Sequence, residues 1–86
     1  MLNQRQIEIL MEFCNHSEEF LTASYFAEKL GVSLRTIQGD MKVIRQELED
    51  ETCASLVSKA SKGTCIEITD YDEFSAFVNS LNQQYT

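Results

Sequence analysis

Between Thr22 and Leu48 the apolar positions form two helical stripes separated by a very short turn. Ala23, Phe26, Ala27 and Leu30 recur at i, i+3, i+4 and i+7, which predicts a helix with one buried face. Gly31 follows where helices often end in the left-handed conformation that glycine adopts without a Cβ penalty. Ser33 is then placed to cap a second helix, whose stripe is Leu34, Ile37, Met41, Ile44 and Leu48. Helices joined this tightly make a helix-turn-helix unit. Upstream, Asn3 and Gln6 have capping-box spacing and open a first helix burying Ile7, Leu10, Met11 and Cys14. Ser17 to Leu21 reads as a connector, and Thr22 as the cap of the next helix. The pattern therefore predicts Leu34, Ile37, Met41 and Ile44 packed against Ile7, Leu10, Phe26 and Leu30.

The periodicity breaks after Leu48 at the acidic run Glu49-Asp50-Glu51, which reads as the start of a loop. Ser55 to Ser58 and Cys65 to Thr69 carry strand signals around the turn Lys59 to Gly63, predicting a hairpin. Asp70 and Glu73 form a second capping box, before apolar positions at Phe74, Phe77, Val78, Leu81 and Tyr85. The expected fold is α+β, mainly α: a winged helix-turn-helix with three helices, a two-stranded wing and a C-terminal exit helix. Residues 1–69 form the winged unit, and 70–86 an exit or linker helix toward a downstream regulatory domain. The apolar face of that last helix exceeds what a small core requires. Part of it is expected to fold back onto the domain, and the rest to dock a second copy or the next domain, through Phe74, Phe77 and Leu81.

Eighty-six residues suffice for one small domain. No run approaches a membrane span and the start shows no signal-peptide pattern, so a cytoplasmic location is expected. Cys14, Cys53 and Cys65 match no zinc spacing and read as inert thiols; no metal or cofactor is expected. His16 belongs at a helix C-terminus rather than in catalysis. With no glycine-rich phosphate loop and no nucleophile visibly partnered to the single histidine, an enzyme is the least favoured class.

The formal net charge of −7 argues against a polyanionic partner as an average, but its distribution changes the picture. Arg35, Lys42, Arg45, Lys59 and Lys62 all fall between Ser33 and Gly63, a segment that five acids bring to neutrality. Arg35, Gln38, Lys42 and Arg45 share one ridge of the second stripe's helix, on its polar side. Arg35 and Gln38, with Thr36, suit base edges in a DNA major groove. Ser33, Lys42, Arg45, Lys59 and Lys62 suit phosphates. The expected partner is double-stranded DNA, bound with helix 33–48 in the major groove and wing 58–64 on the backbone, by a homodimer formed through the exit helix or downstream domains. The competing reading is a winged-helix module for protein–protein contact with little DNA affinity.

These motifs resemble the winged-helix domain of bacterial regulators of the BglG family, which carry phosphotransferase regulation domains (PRDs); Mga-type regulators are related. The resemblance runs through Arg5 to Leu10, Ala27 to Ser33, and Arg35-Thr36-Ile37 with Asp40. It continues through Ser58-Lys59 with Lys62-Gly63, and Ile68-Thr69-Asp70 with Phe74. Gly39 and Thr64 depart from the pattern, standing where larger or aromatic residues are usual. The resemblance implies a DNA-binding part of a longer regulator of sugar-uptake operons, which senses transport status through histidine phosphorylation in downstream domains.

Overall fold

Each of the first three helices begins at a polar residue whose side chain accepts a backbone N–H of the first turn, as the spacing predicts. The computed structural model describes residues 2–83, with side chains through Leu81. Helix α1 spans Gln4–Asn15; the Gln6 amide donates to Asn3 Oδ1 (2.8 Å), and Gln6 Oε1 accepts from the Asn3 amide (2.9 Å). Helix α2 (Ala23–Leu30) is capped by Thr22, and α3 (Leu34–Glu51) by Ser33, which accepts from the Thr36 amide at 3.1 Å. Between them Gly31 takes φ 68°, the left-handed end the turn requires.

Strands β1 (Ala54–Lys59) and β2 (Gly63–Ile68) pair antiparallel, with Leu56 opposite Ile66 and Lys59 opposite Gly63. The connecting tip is three residues, shorter than the predicted Lys59–Gly63 turn, because Gly63 enters the ladder at φ 111°. Helix α4 (Tyr71–Gln83) starts where predicted, with Asp70 Oδ1 accepting the Glu73 amide at 3.0 Å. Three helices, a two-stranded wing and a fourth helix define a winged helix-turn-helix fold.

The core lies where α1, α2, α3, the hairpin and α4 converge: Ile7, Ile9, Leu10, Phe13, Phe26, Ile37, Ile44, Leu48, Leu56 and Ile66 are all buried. Phe13 and Phe26 meet with ring centroids 4.9 Å apart. Helix α1 buries Ile9 and Phe13 beyond its predicted face because it packs against both α3 and β2, whereas Met11 and Cys14 are only half-buried. Leu34, predicted to be buried, is 46% exposed. It is the first residue of α3, and coverage of the stripe by the rest of the domain begins only at Ile37.

Helix α3 also runs on through the acidic triplet that was expected to open a loop. It stops at Thr52, which adopts φ 58°, with its N–H on the Leu48 carbonyl at 2.9 Å. That sharp exit brings Cys53 into the core. The Cys53 carbonyl accepts from the Thr69 amide, the Thr69 hydroxyl and the Asp70 amide, and so ties the base of the hairpin to the start of α4.

Candidate nucleic-acid interface

Helix α3 turns two different chemistries toward its two sides. Inward, beside Ile37 and Ile44, lies Asp40, 4% exposed. Arg5 grips it from α1 through both Nε and Nη2 (2.9 Å from Nη2 to Oδ1), and Gln6 Nε2 donates to Oδ1 at 3.1 Å. A buried carboxylate needs such donors. The residues that carried the sequence resemblance at Arg5-Gln6 and Asp40 are thus one cluster, which sets α3 against α1. The Arg5 hydrogen bonds hold the Asp40 carboxyl below its ordinary range, with Gln6 adding to the effect.

A titration result follows from that lowered pKa. The folded state favours ionised Asp40, so its stabilisation is complete above the ordinary carboxylate range and disappears as pH falls through the lower, folded-state value. Thermal melts of the wild type and of Asp40→Asn should differ most near neutral pH. They should converge only in more acid solution, once pH has fallen below the ordinary carboxylate range and through the lower value of the folded state. A gap that stays constant across the series would mean that the charge of Asp40 contributes nothing.

Outward, α3 presents Arg35, Gln38 and Lys42, all exposed, with Thr36 half-buried at the first turn. The Thr36 hydroxyl lies 2.9 Å from Ser33 Oγ, so the cap engages both. Gly39 sits on this same face, and a Cβ built there meets nothing within 4 Å. Arg45 is on the flank beside the wing, where its Nη2 donates to Ser58 Oγ at 2.8 Å. Lys62 is exposed at the wing tip. The Lys59 ammonium lies 5.4 Å from the centroid of the Phe20 ring, toward the α1–α2 connector.

The pairing of cations divides along the same line. Lys29 is bound to Glu12 at 2.7 Å, and the two hold each other charged, the Glu12 carboxyl lowered and the Lys29 ammonium raised. Arg5 is held by Asp40. Among the described residues, Arg35, Lys42, Arg45, Lys59 and Lys62 have no carboxylate partner. Asp40, two residues before Lys42, is buried and neutralised by Arg5, whereas the remaining acids of α3, Glu47, Glu49, Asp50 and Glu51, lie toward its C-terminal end. Among the described residues, the Lys and Arg side chains without a carboxylate partner thus all lie on α3 and the wing of a chain whose net charge is −7.

Several other positions had less direct sequence signals. Ser58 and Thr64 pair across the hairpin with their hydroxyl oxygens 2.9 Å apart. Thr64 also exchanges both backbone hydrogen bonds with Leu21, at 2.8 Å each, so the predicted connector adds a short third edge to the wing. Phe74 (6% exposed) and Leu81 (5%) do not form the outward docking face expected of them. Both are taken up by the chain's own core, and Phe77 and Val78 are half-buried against it. Tyr85 lies outside the described residues. His16 closes α1 between Glu12 and Glu19, 3.0 Å from each, in the expected helix-end role. Burial raises the Cys14 thiol to about 11, which leaves it an inert thiol. No helix among the described residues is long and apolar enough to cross a membrane.

A wing tied to a capped helix that carries unpaired cations defines the winged helix-turn-helix class. The chain belongs to the HTH domain family, whose sequence profile matches residues 5–64. It is also 31% identical over 71 residues to the transcriptional regulator ManR of Bacillus subtilis (strain 168). That alignment covers 83% of this chain and 11% of the regulator, so the chain spans a small part of its relative's length.

Proposed function

We propose that this domain binds double-stranded DNA sequence-specifically as the DNA-reading part of a transcriptional regulator. The observation that carries the reading is the segregation of charge: unpaired cations on α3 and the wing, paired cations elsewhere, and Asp40 buried and neutralised. Helix α3 enters the major groove. Arg35 and Gln38 reach base edges from its first turns with Thr36 beside them, and Ser33 and Lys42 meet phosphates. Lys62 contacts the backbone from the wing tip, and Lys59 adds positive charge immediately before the tip. The resemblance to PRD-containing regulators, with the similarity to the regulator ManR, supports control of sugar-uptake operons as the setting.

The acidic remainder suppresses long-range attraction, so short-range contacts must supply the affinity. Two substitutions separate their roles on a duplex enriched from a random-sequence pool by the 86-residue chain. Arg35→Ala should lose roughly 1–3 kcal/mol on the enriched sequence and flatten the preference over a scrambled one. Lys62→Ala should weaken both duplexes alike and lower the salt slope by about one. Wild-type affinity, preference and slope in both variants would leave α3 and the wing as merely solvated faces and would favour the protein-interaction reading.

A further inference from the structure

We infer that Arg45 positions the wing instead of contacting DNA itself, and that backbone contact by the wing tip depends on the link from Arg45 through Ser58 to Thr64. The inference rests on the DNA-binding reading above and refines its account of the wing. Arg45 lies toward the C-terminal half of α3, beyond the turns that carry Arg35 and Gln38, and on the flank that faces β1. Its guanidinium already donates to the wing, with Nη2 on Ser58 Oγ at 2.8 Å. Ser58 in turn lies 2.9 Å from the Thr64 hydroxyl, its partner across the ladder.

Thr64 is the fixed point of this chain. It is 5% exposed, both its backbone groups are bonded to Leu21 at 2.8 Å, and the neighbouring Gly63 abuts the Leu21 carbonyl. From that anchor the two hydroxyls and the guanidinium form a side-chain bridge to the recognition-type helix. The bridge is made at Ser58, immediately before Lys59 and the three-residue tip that ends in Lys62. A two-stranded hairpin is only marginally rigid by itself. A tether at the tip-proximal end of β1 therefore controls where the Lys62 ammonium sits relative to a duplex lying along α3.

This arrangement separates two roles that a binding loss at Arg45 alone would confuse. Ser58→Ala deletes the bridge without deleting any charge, and Arg45→Met keeps the stem but removes both donor and charge. The probe is the enriched duplex, titrated by fluorescence anisotropy across a salt series with the 86-residue chain. Thermal melts check that each variant is folded, and little loss is expected from removing an exposed hydrogen bond. If Arg45 positions the wing, neutral Ser58→Ala lowers the salt slope by about one, as Lys62→Ala does. Adding Lys62→Ala to Ser58→Ala or to Arg45→Met then lowers it no further, and Ser58→Thr, which retains the hydroxyl, restores the wild-type slope.

The inference is overturned if Ser58→Ala keeps the wild-type slope while Arg45→Met and Lys62→Ala lower it additively, since Arg45 would then be a phosphate contact. Failure to enrich any duplex would instead overturn the DNA-binding reading and, with it, this one.

Discussion

Ile44→Ala should cost about 2–5 kcal/mol of folding free energy. Ile44 is fully buried on α3 between Ile37 and Leu48, where the helix meets β1. The substitution removes buried methyl groups and leaves a cavity that capped helices on one side and a hydrogen-bonded hairpin on the other cannot easily close. In a domain of this size each kcal/mol lowers the melting temperature by roughly 4–8 °C. Chemical or thermal denaturation provides the measurement. A loss well below about 1 kcal/mol would mean that the stripe is in the wrong register and that the outward assignment of Arg35, Gln38 and Lys42 fails with it.

Gly63→Ala should be the most damaging substitution in the wing. A Cβ at Gly63 would lie 2.5 Å from the Leu21 carbonyl oxygen and 2.7 Å from its carbon, and both are backbone atoms. Relieving that overlap should cost about 1–3 kcal/mol. Holding alanine at φ 111° should add strain of similar order, for a combined loss of roughly 2–6 kcal/mol. Hydrogen exchange should report rapid opening of the Leu21 and Thr64 amides, which protect one another in the wild type. Gly31→Ala provides the contrast. Its left-handed φ of 68° carries a conformational cost, but a Cβ there meets nothing within 4 Å. It should therefore destabilise by only about 1 kcal/mol and leave the Leu21–Thr64 bridge closed. Equal losses in the two variants would show that the approach of Leu21 to Gly63 is not tight.

The caps, the Gly31 turn and the exit-helix start are legible in the sequence because each is a local signal spanning three or four residues. The inward stripe of α3 is legible for a similar reason: a period of 3.6 records which residues share a face. Periodicity does not record where coverage of that face begins, and so Leu34 was expected inside and lies outside. Nor does it record a helix packed on two sides, which is why Ile9 and Phe13 of α1 were missed.

Contacts between distant positions leave no local trace at all. Asp40 meets Arg5 across 35 residues, and Leu21 meets Thr64 across the whole helix-turn-helix. The roles of Ser58 and Thr64 became visible only once the hairpin and α3 were side by side. For the exit helix, spacing does not record how much of its apolar face the domain itself takes up. Its large apolar face suggested an external partner, but the small core had room for Phe74 and Leu81 and uses both. The candidate ridge itself was readable as residue types at helical spacing. Its significance was not, because that depends on which cations are paired and on Asp40 facing away from them.

The central claim is that α3 and the wing form a sequence-selective DNA surface on an otherwise acidic domain. Its most direct test is fluorescence anisotropy of the 86-residue chain against an enriched duplex and its scrambled counterpart, each over a series of salt concentrations. The account predicts tighter binding to the enriched duplex, with affinity falling as salt rises on a log–log slope of about −2 to −4, as expected for a few phosphate contacts. Equal binding to both duplexes, or no measurable binding to either at low salt, would contradict it.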